Sequence, residues 1–418
     1  MFAPRTIARA IAGLLLSAAL APAARAVPPI TVDELRAHVY RLADPEMEGR
    51  GLGTAGIDTA AAYIAREFSR VGLEPGGPYG SYFQSFGARV GADLYTAKNV
   101  IGVLAGRDSL PRPYIVLGAH YDHLGYGGKE SREPGVRALH PGADDNASGV
   151  AALIEVAERF AAAGRPNRTL VFVAFSGEEK GLLGSAYFVD HPPYPLESTL
   201  AMINFDAVGR PDRGEVTVFG TRSAAELDRF LDRANADGLI IQREADGLGP
   251  SDQTSFLVKN IPAVHLFGAA HLDYHRPTDT AEKLDYDGLR AIARLAARLV
   301  EALDSTPSPL EFRQPESGPR AHVSGRGAYL GIVPDFGSSG EGLALRAVRA
   351  GSPAEGGDLR AGDVIVAFGG REVKDIQGLF DALHVHGPGD TVAVDLLRDG
   401  GRLTRSVVLG RRNSGEED

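Results

Sequence analysis

The chain of 418 residues contains no cysteine, no tryptophan and only three methionines. Without thiols there is no disulfide framework, no thiolate metal site and no Cys nucleophile. Any metal must therefore be held by histidine and carboxylate. Positive charge is the minority sign: 44 Lys and Arg face 54 Asp and Glu, a formal charge of -10. That balance argues against nucleic acid or an anionic membrane as partner. Long apolar runs are also missing. Ile11 to Ala21 is too short to span a bilayer. With Arg5 and Arg9 before it and Ala24-Arg25-Ala26 after it, residues 1–26 read as an export signal. No cysteine follows the apolar core, which excludes a lipoprotein anchor. The expectation is a periplasmic or extracellular protein starting at Val27, without a membrane anchor.

A hydrophobic content of 44% is ample for packed cores, and the length predicts two or three domains. From Thr31 to about Ser305, short apolar runs alternate with helical patterns. Asp58 to Val71 places Ala60, Ile64, Phe68 and Val71 at helical spacing, and Tyr286 to Leu303 does the same with Leu289, Ile292, Leu295, Leu299 and Leu303. Helices are also expected at Gly149–Ala163 and Ala224–Ala236. Compact strands are expected at Tyr114–Ala119, Leu170–Phe175, Leu200–Phe205 and Ala263–Phe267. The alternation predicts an α/β domain over residues 27–305, with a central, mostly parallel sheet and helices on both faces. Ligands collect at the carboxyl ends of the strands in such folds. Residues 306–325 shift to Pro, Ser, Gly and charge and read as a linker. Residues 326–412 carry their own short strands and glycine turns, and 413–418 form an acidic tail expected to be disordered.

Five segments carry chemistry: GAHYDHLG, PGADDNASG, FSGEEKG, INFDAVG and DYHRPTDT. His120 and Asp122 end an apolar run, and residues two apart in extended chain share a face. Asp144-Asp145-Asn146 reads either as a helix cap or as the source of a carboxylate bridging two metals about 3.5–4 Å apart. Side chains of the neighbours Glu178 and Glu179 diverge in extended backbone, so one can ligate while the other serves as a general base. Asp206 ends LAMINF, where a charge is costly unless paired or metal-bound. His275 is a lone loop histidine, and His123, His140, His265 and His271 have no comparable context. Imidazoles with several carboxylates are ligand chemistry for Zn²⁺ or a similar divalent ion, and the set points to metal-assisted hydrolysis.

Over about Thr31 to Ser305 the chain resembles the secreted di-zinc aminopeptidases of the aminopeptidase Y and glutamate carboxypeptidase superfamily. The matching elements are His-x-Asp at His120 and Asp122, Asp-Asn-x-Ser-Gly from Asp145, the Glu178-Glu179 pair, Asn-Phe-Asp ending at Asp206, and Tyr274-His275. The resemblance implies two Zn²⁺ or similar ions, one held by His120, Asp145 and Asp206, the other by Asp145, Glu179 and His275. It implies Glu178 as the base, Asp122 as the carboxylate that orients His120, and Tyr274 at a position where some members stabilise the oxyanion. The implied substrates are peptides with a free N-terminus. Gln84 to Lys98 leaves no room for the protease-associated insert of some relatives. Two other branches, carboxypeptidases and glutaminyl cyclases, are alternatives, as is a catalytically dead binding protein. Cyclases use one zinc, carboxypeptidases need a cationic clamp, and a dead hydrolase would lack a ligand or the base.

Tyr329-Leu330-Gly331-Ile332, Gly351-Ser352-Pro353-Ala354 and the run Leu359 to Ile365 closely resemble the PDZ domains of the high-temperature-requirement proteases. The resemblance implies that the loop from Tyr329 to Ile332 receives the C-terminal carboxylate of a peptide, which adds as a strand to the sheet edge.

Overall fold

The computed structural model describes residues 27–107, 113–133, 135–211, 214–245, 247–269, 271–307, 309–313, 328–334, 342–348, 351–374, 376–383 and 385–411. The expected export signal, residues 314–325 of the expected linker and the acidic tail lie outside the described residues.

The first domain opens with α1 (Val32–Leu42) and α2 (Ala55–Arg70). Thr54 caps α2 by accepting the Ile57 N–H, so the helix starts earlier than its apolar spacing predicts. Next come β1 (Glu74–Pro75), β2 (Phe83–Val90), β3 (Asp93–Leu104), β4 (Tyr114–His120), α3 (Gly149–Ala163), β5 (Leu170–Phe175) and α4 (Leu183–Asp190). The domain closes with β6 (Thr199–Asp206), β7 (Glu215–Phe219), α5 (Leu227–Ala234), β8 (Ile240–Glu244), α6 (Gln253–Leu257), β9 (Ala263–Phe267) and α7 (Tyr286–Ser305).

The strands form one sheet in the order β1-β3-β5-β4-β6-β9-β7-β8, with β2 paired to β3. The expected parallel arrangement holds at the centre, where β5, β4, β6 and β9 pair in parallel. The flanks join the centre antiparallel: β3 joins β5, β2 folds back on β3, and β7 runs against β9, while β8 at the far edge lies parallel to β7. The sheet is therefore mixed. β2 and β3 need only a tight turn between them, whereas each central pair needs a crossover.

Alternation along the central strands sends side chains to two cores. Ile115, Leu117 and Ala119 of β4, with Leu170 and Phe172 of β5, pack with residues of α1, α2, α3, α5 and α7. Val116, Val171, Val173 and Phe175 turn to the other face and meet Phe188 of α4 and Phe256 of α6. Burial on both faces explains why these strands read as continuous apolar runs.

The second domain has its own core of Leu330, Leu345, Ile365, Phe368, Leu379, Val394 and Val407, among others. Its sheet runs β11 (Ile332–Pro334), β12 (Leu343–Val348), β13 (Val364–Phe368), β15 (Thr391–Arg398) and β16 (Gly401–Val408), with β14 (Arg371–Glu372) on β13. A separate pair joins β10 (Ala328–Tyr329) to β17 (Gly410–Arg411), and α8 (Pro353–Gly356) and α9 (Ile376–Leu383) complete the unit. No helix among the described residues is long and apolar enough to cross a membrane.

Phe172 is fully buried, with its ring 6.4 Å from that of Phe68 on α2. Phe172→Ala is expected to lower the unfolding free energy by about 3–5 kcal/mol, measured by urea titration of the full chain. A loss below about 1 kcal/mol would contradict this packing account.

Candidate metal centre

The expected ligands converge at the carboxyl ends of the parallel strands. His120 is the last residue of β4, Asp206 the last of β6, and Glu178 and Glu179 form the short turn after β5. His120 Nε2 lies 3.3 Å from Asp145 Oδ1 and 3.3 Å from Asp206 Oδ1. His275 Nε2 lies 3.1 Å from Asp145 Oδ2 and 3.2 Å from Glu179 Oε2. Asp145 thus turns one oxygen to each set.

The segment around Asp145 shows why its neighbours are Asn, Ser and Gly. Asn146 Oδ1 accepts the N–H groups of Gly149 and Ala207, while its Nδ2 donates to the Phe205 carbonyl. Ser148 Oγ donates to the Asp144 carbonyl and accepts the Val208 N–H. These bonds bolt the turn before α3 to the end of β6. A Cβ at position 149 would sit 2.3 Å from Asn146 Oδ1 and 2.7 Å from the Phe205 carbonyl, so only glycine fits. The capping reading is right for Asn146, and Asp145 is left to face the site. Asp144 faces away, accepting the Gly209 N–H at 2.6 Å and His271 Nε2 at 3.0 Å.

Both imidazoles are aimed by backbone. His120 Nδ1 lies 3.1 Å from the Asp122 carbonyl, and His275 Nδ1 lies 3.0 Å from the Glu130 carbonyl. Each leaves Nε2 toward the site, the orientation a ligating histidine needs. The expected role of Asp122 is corrected here. Its carboxylate is 3.9 Å from His120 Nδ1 and instead accepts the N–H groups of Glu178 and Glu179, at 3.1 and 3.3 Å. Asp122 orients His120 through its carbonyl and the glutamate turn through its side chain. Tyr274 stacks on His275 with ring centroids 3.9 Å apart, and the Arg132 guanidinium lies 5.0 Å from the Tyr274 centroid.

Electrostatics show that the site wants positive charge. Burial alone would lower His120, yet the Glu178, Asp206 and Asp145 carboxylates hold it well above the usual imidazole range. His275 behaves the same way under Glu179 and Asp145. Burial, with Asp206, Glu179 and Asp252 nearby, pushes Glu178 well above the usual carboxylate range. Burial and the surrounding carboxylates likewise raise Tyr274, so its hydroxyl keeps its proton. Asp145 Oδ2 and His275 Nε2 are buried without a hydrogen-bond partner. Donor type, convergence and orphaned atoms fit a divalent cation, and the two groups able to hold one, His120 with Asp145 and Asp206 and His123 with Asp145 and Glu179, share Asp145.

Three residues escaped the sequence reading. His123 is buried in the second ligand set, its Nδ1 2.7 Å from Glu179 Oε1. Asp279, in the quoted segment after His275, accepts the N–H groups of Asp144 and Asp145. Arg50 is fully buried and donates to the carbonyls of Tyr121, Leu42, Pro141 and Gly142. Burial pushes its guanidinium down to about 10 while Asp145, Asp279 and Asp122 pull the other way. It ties the loop carrying Asp122 to the loop carrying Asp145. No periodicity or motif marks an arginine in such a role.

In the second domain, the Leu330 side chain is buried in the core and its carbonyl accepts the Ala354 N–H at 2.8 Å. Tyr329 pairs with Gly410, and Ile332 starts β11 opposite Val348. Gly331 has φ +85, and a Cβ there would lie 2.3 Å from Ser352 Cβ. The sheet order leaves β11 at one edge.

Arg50→Lys cannot replace a fork that serves four carbonyls. A loss of about 3–5 kcal/mol in unfolding free energy is expected, read from chemical denaturation of metal-depleted protein. Wild-type stability in that variant would contradict the assigned role.

Residues 99–300 match peptidase family M28, and residues 328–409 match the PDZ domain. A probable zinc metalloprotease of Pyrenophora teres f. teres is 32% identical over 310 residues, covering 61% of this chain and 62% of its own. Leucine aminopeptidase 2 of Arthroderma otae is 27% identical over 269 residues, covering 56% of this chain and 50% of its own. The chain therefore spans about three fifths or less of these relatives. A solved Zn-dependent exopeptidase from Parabacteroides distasonis shares the fold, with TM-score 0.55 and 21% identity over 67% of this chain and all of its own. The first domain is thus similar to peptidase family M28 over residues 99–300, and the second to the PDZ domain over residues 328–409.

Proposed function

We propose that this chain is an exported zinc-dependent aminopeptidase that removes N-terminal residues from peptides, with two ions at the site. The observation that carries this reading is Asp145, whose two oxygens face His120 and His275 separately. The similarity to a probable zinc metalloprotease and to a leucine aminopeptidase supports the same chemistry.

In this reading His120, Asp145 and Asp206 hold one ion, and Asp145, Glu179 and His275 the other. Divalent ions bound there would supply Lewis acidity and would lower the pKa of water. Glu178 takes a proton from the attacking water and returns it to the leaving amine nitrogen. Its raised proton affinity suits a group that must both accept and give back. The Tyr274 hydroxyl donates a hydrogen bond to the oxygen developing charge on the scissile carbonyl. The surplus of carboxylates suits a substrate α-ammonium group. In the second domain, the edge position of β11 supports addition of a peptide strand, with the Tyr329 to Ile332 loop taking its terminal carboxylate. That domain then docks or regulates.

Arg132, a cation beside Tyr274, favours a second reading. It is a candidate clamp for a substrate C-terminus, as a carboxypeptidase needs. The two separate on substrates. Free aminoacyl anilides are expected to be cleaved and N-acetylated ones spared. Release of C-terminal residues from N-blocked peptides would instead support the carboxypeptidase. Glu178→Gln should retain both ions while kcat falls by about 10²–10⁴-fold. Undiminished turnover in that variant would remove Glu178 as base.

A further inference from the structure

His123 has no part in the chemistry proposed above, yet it is held as firmly as any ligand. Its backbone N–H donates to the Arg50 carbonyl at 3.1 Å. The His275 ring meets it edge-on with centroids 5.7 Å apart. On another side a Cβ at Gly142 would fall 2.5 Å from its Cδ2. The ring is closed in and has little room to turn.

Its two nitrogens differ sharply. Nδ1 is 2.7 Å from Glu179 Oε1 and 3.7 Å from Asp145 Oδ2, whereas Nε2 is buried without a partner. The network therefore places the proton on Nδ1, where an acceptor waits, because a buried N–H without one costs its full desolvation. Glu179 is then held at one oxygen. Oε1 accepts from His123, and Oε2 lies 3.2 Å from His275 Nε2.

We propose that His123 is a positioning residue: by donating from Nδ1 to Glu179 Oε1 it fixes that carboxylate with Oε2 as its ligating oxygen, and so sets the affinity of the second ion. This inference rests on the two-ion reading above. Partners behind a ligand of this kind typically govern metal affinity by about 10–100-fold.

The test is stepwise Zn²⁺ uptake by the metal-depleted full chain, measured by competition with a chromophoric chelator. His123→Ala is expected to raise one of the two dissociation constants by about 10–100-fold and leave the other unchanged. His123→Asn, whose amide N–H falls near the Nδ1 position, restores most of the loss. His123→Gln, with the amide one bond further out, does not, and it supplies the contrast should His123→Ala not fold. Unchanged constants, or equal weakening of both ions, overturn the proposal. Loss in every variant with a shifted visible band of the Co²⁺-loaded protein overturns it in favour of direct ligation by His123. A wild-type chain that takes up one ion sinks the two-ion reading itself, and this inference with it.

Discussion

Carboxylates packed at the end of a sheet, out of bulk water, repel one another, and every other feature of this site answers that repulsion. Burial and mutual repulsion drive some of them toward the neutral form and demand positive charge for the rest. The protein supplies part of the answer itself. Backbone N–H groups point at Asp122 and Asp279, and a buried guanidinium stands behind the loops at Arg50. The imidazoles His120 and His275 are pulled toward their cationic forms by the same field. A divalent cation bound among these residues would complete the compensation.

The sheet makes this arrangement cheap to build. Parallel central strands deliver their carboxyl ends to one edge, so residues far apart in sequence arrive side by side without strain in the strands. The loops above them are then locked to one another rather than to solvent. Asn146 and Ser148 tie the Asp145 turn to β6, Asp122 ties β4 to the glutamate turn, and Glu130 ties the His275 loop to the segment after β4. A ligand set held this way is preorganised, which is what a site needs to keep carboxylates facing one another before cations arrive.

The sequence made the central strands legible because each is an apolar run buried on both faces, and His120 and Asp206 end such runs while Glu179 closely follows one. Asp145 and His275 stand outside the strands and were legible only through the family resemblance of their segments. The sequence was less informative wherever burial is one-sided or the partner is backbone. β2 alternates buried and exposed positions and has no compact apolar run, so the antiparallel flank went unseen. His123 sits just past the end of β4, where the chain turns and the two-residue alternation linking His120 to Asp122 no longer applies. Arg50 and Asp279 act on backbone carbonyl and N–H groups, which every residue carries, so no residue type or spacing announces their partners. Asp122 was found, but its carboxylate was assigned to the imidazole rather than to the two N–H groups it accepts.

The central claim is that one carboxylate, Asp145, is shared by two cations. Anomalous diffraction from crystals of the zinc-loaded protein, with data on both sides of the zinc edge, tests it most directly. Two peaks about 3.5–4 Å apart, each within bonding distance of a different Asp145 oxygen, are expected. A single peak, or two peaks of which only one touches Asp145, would contradict it.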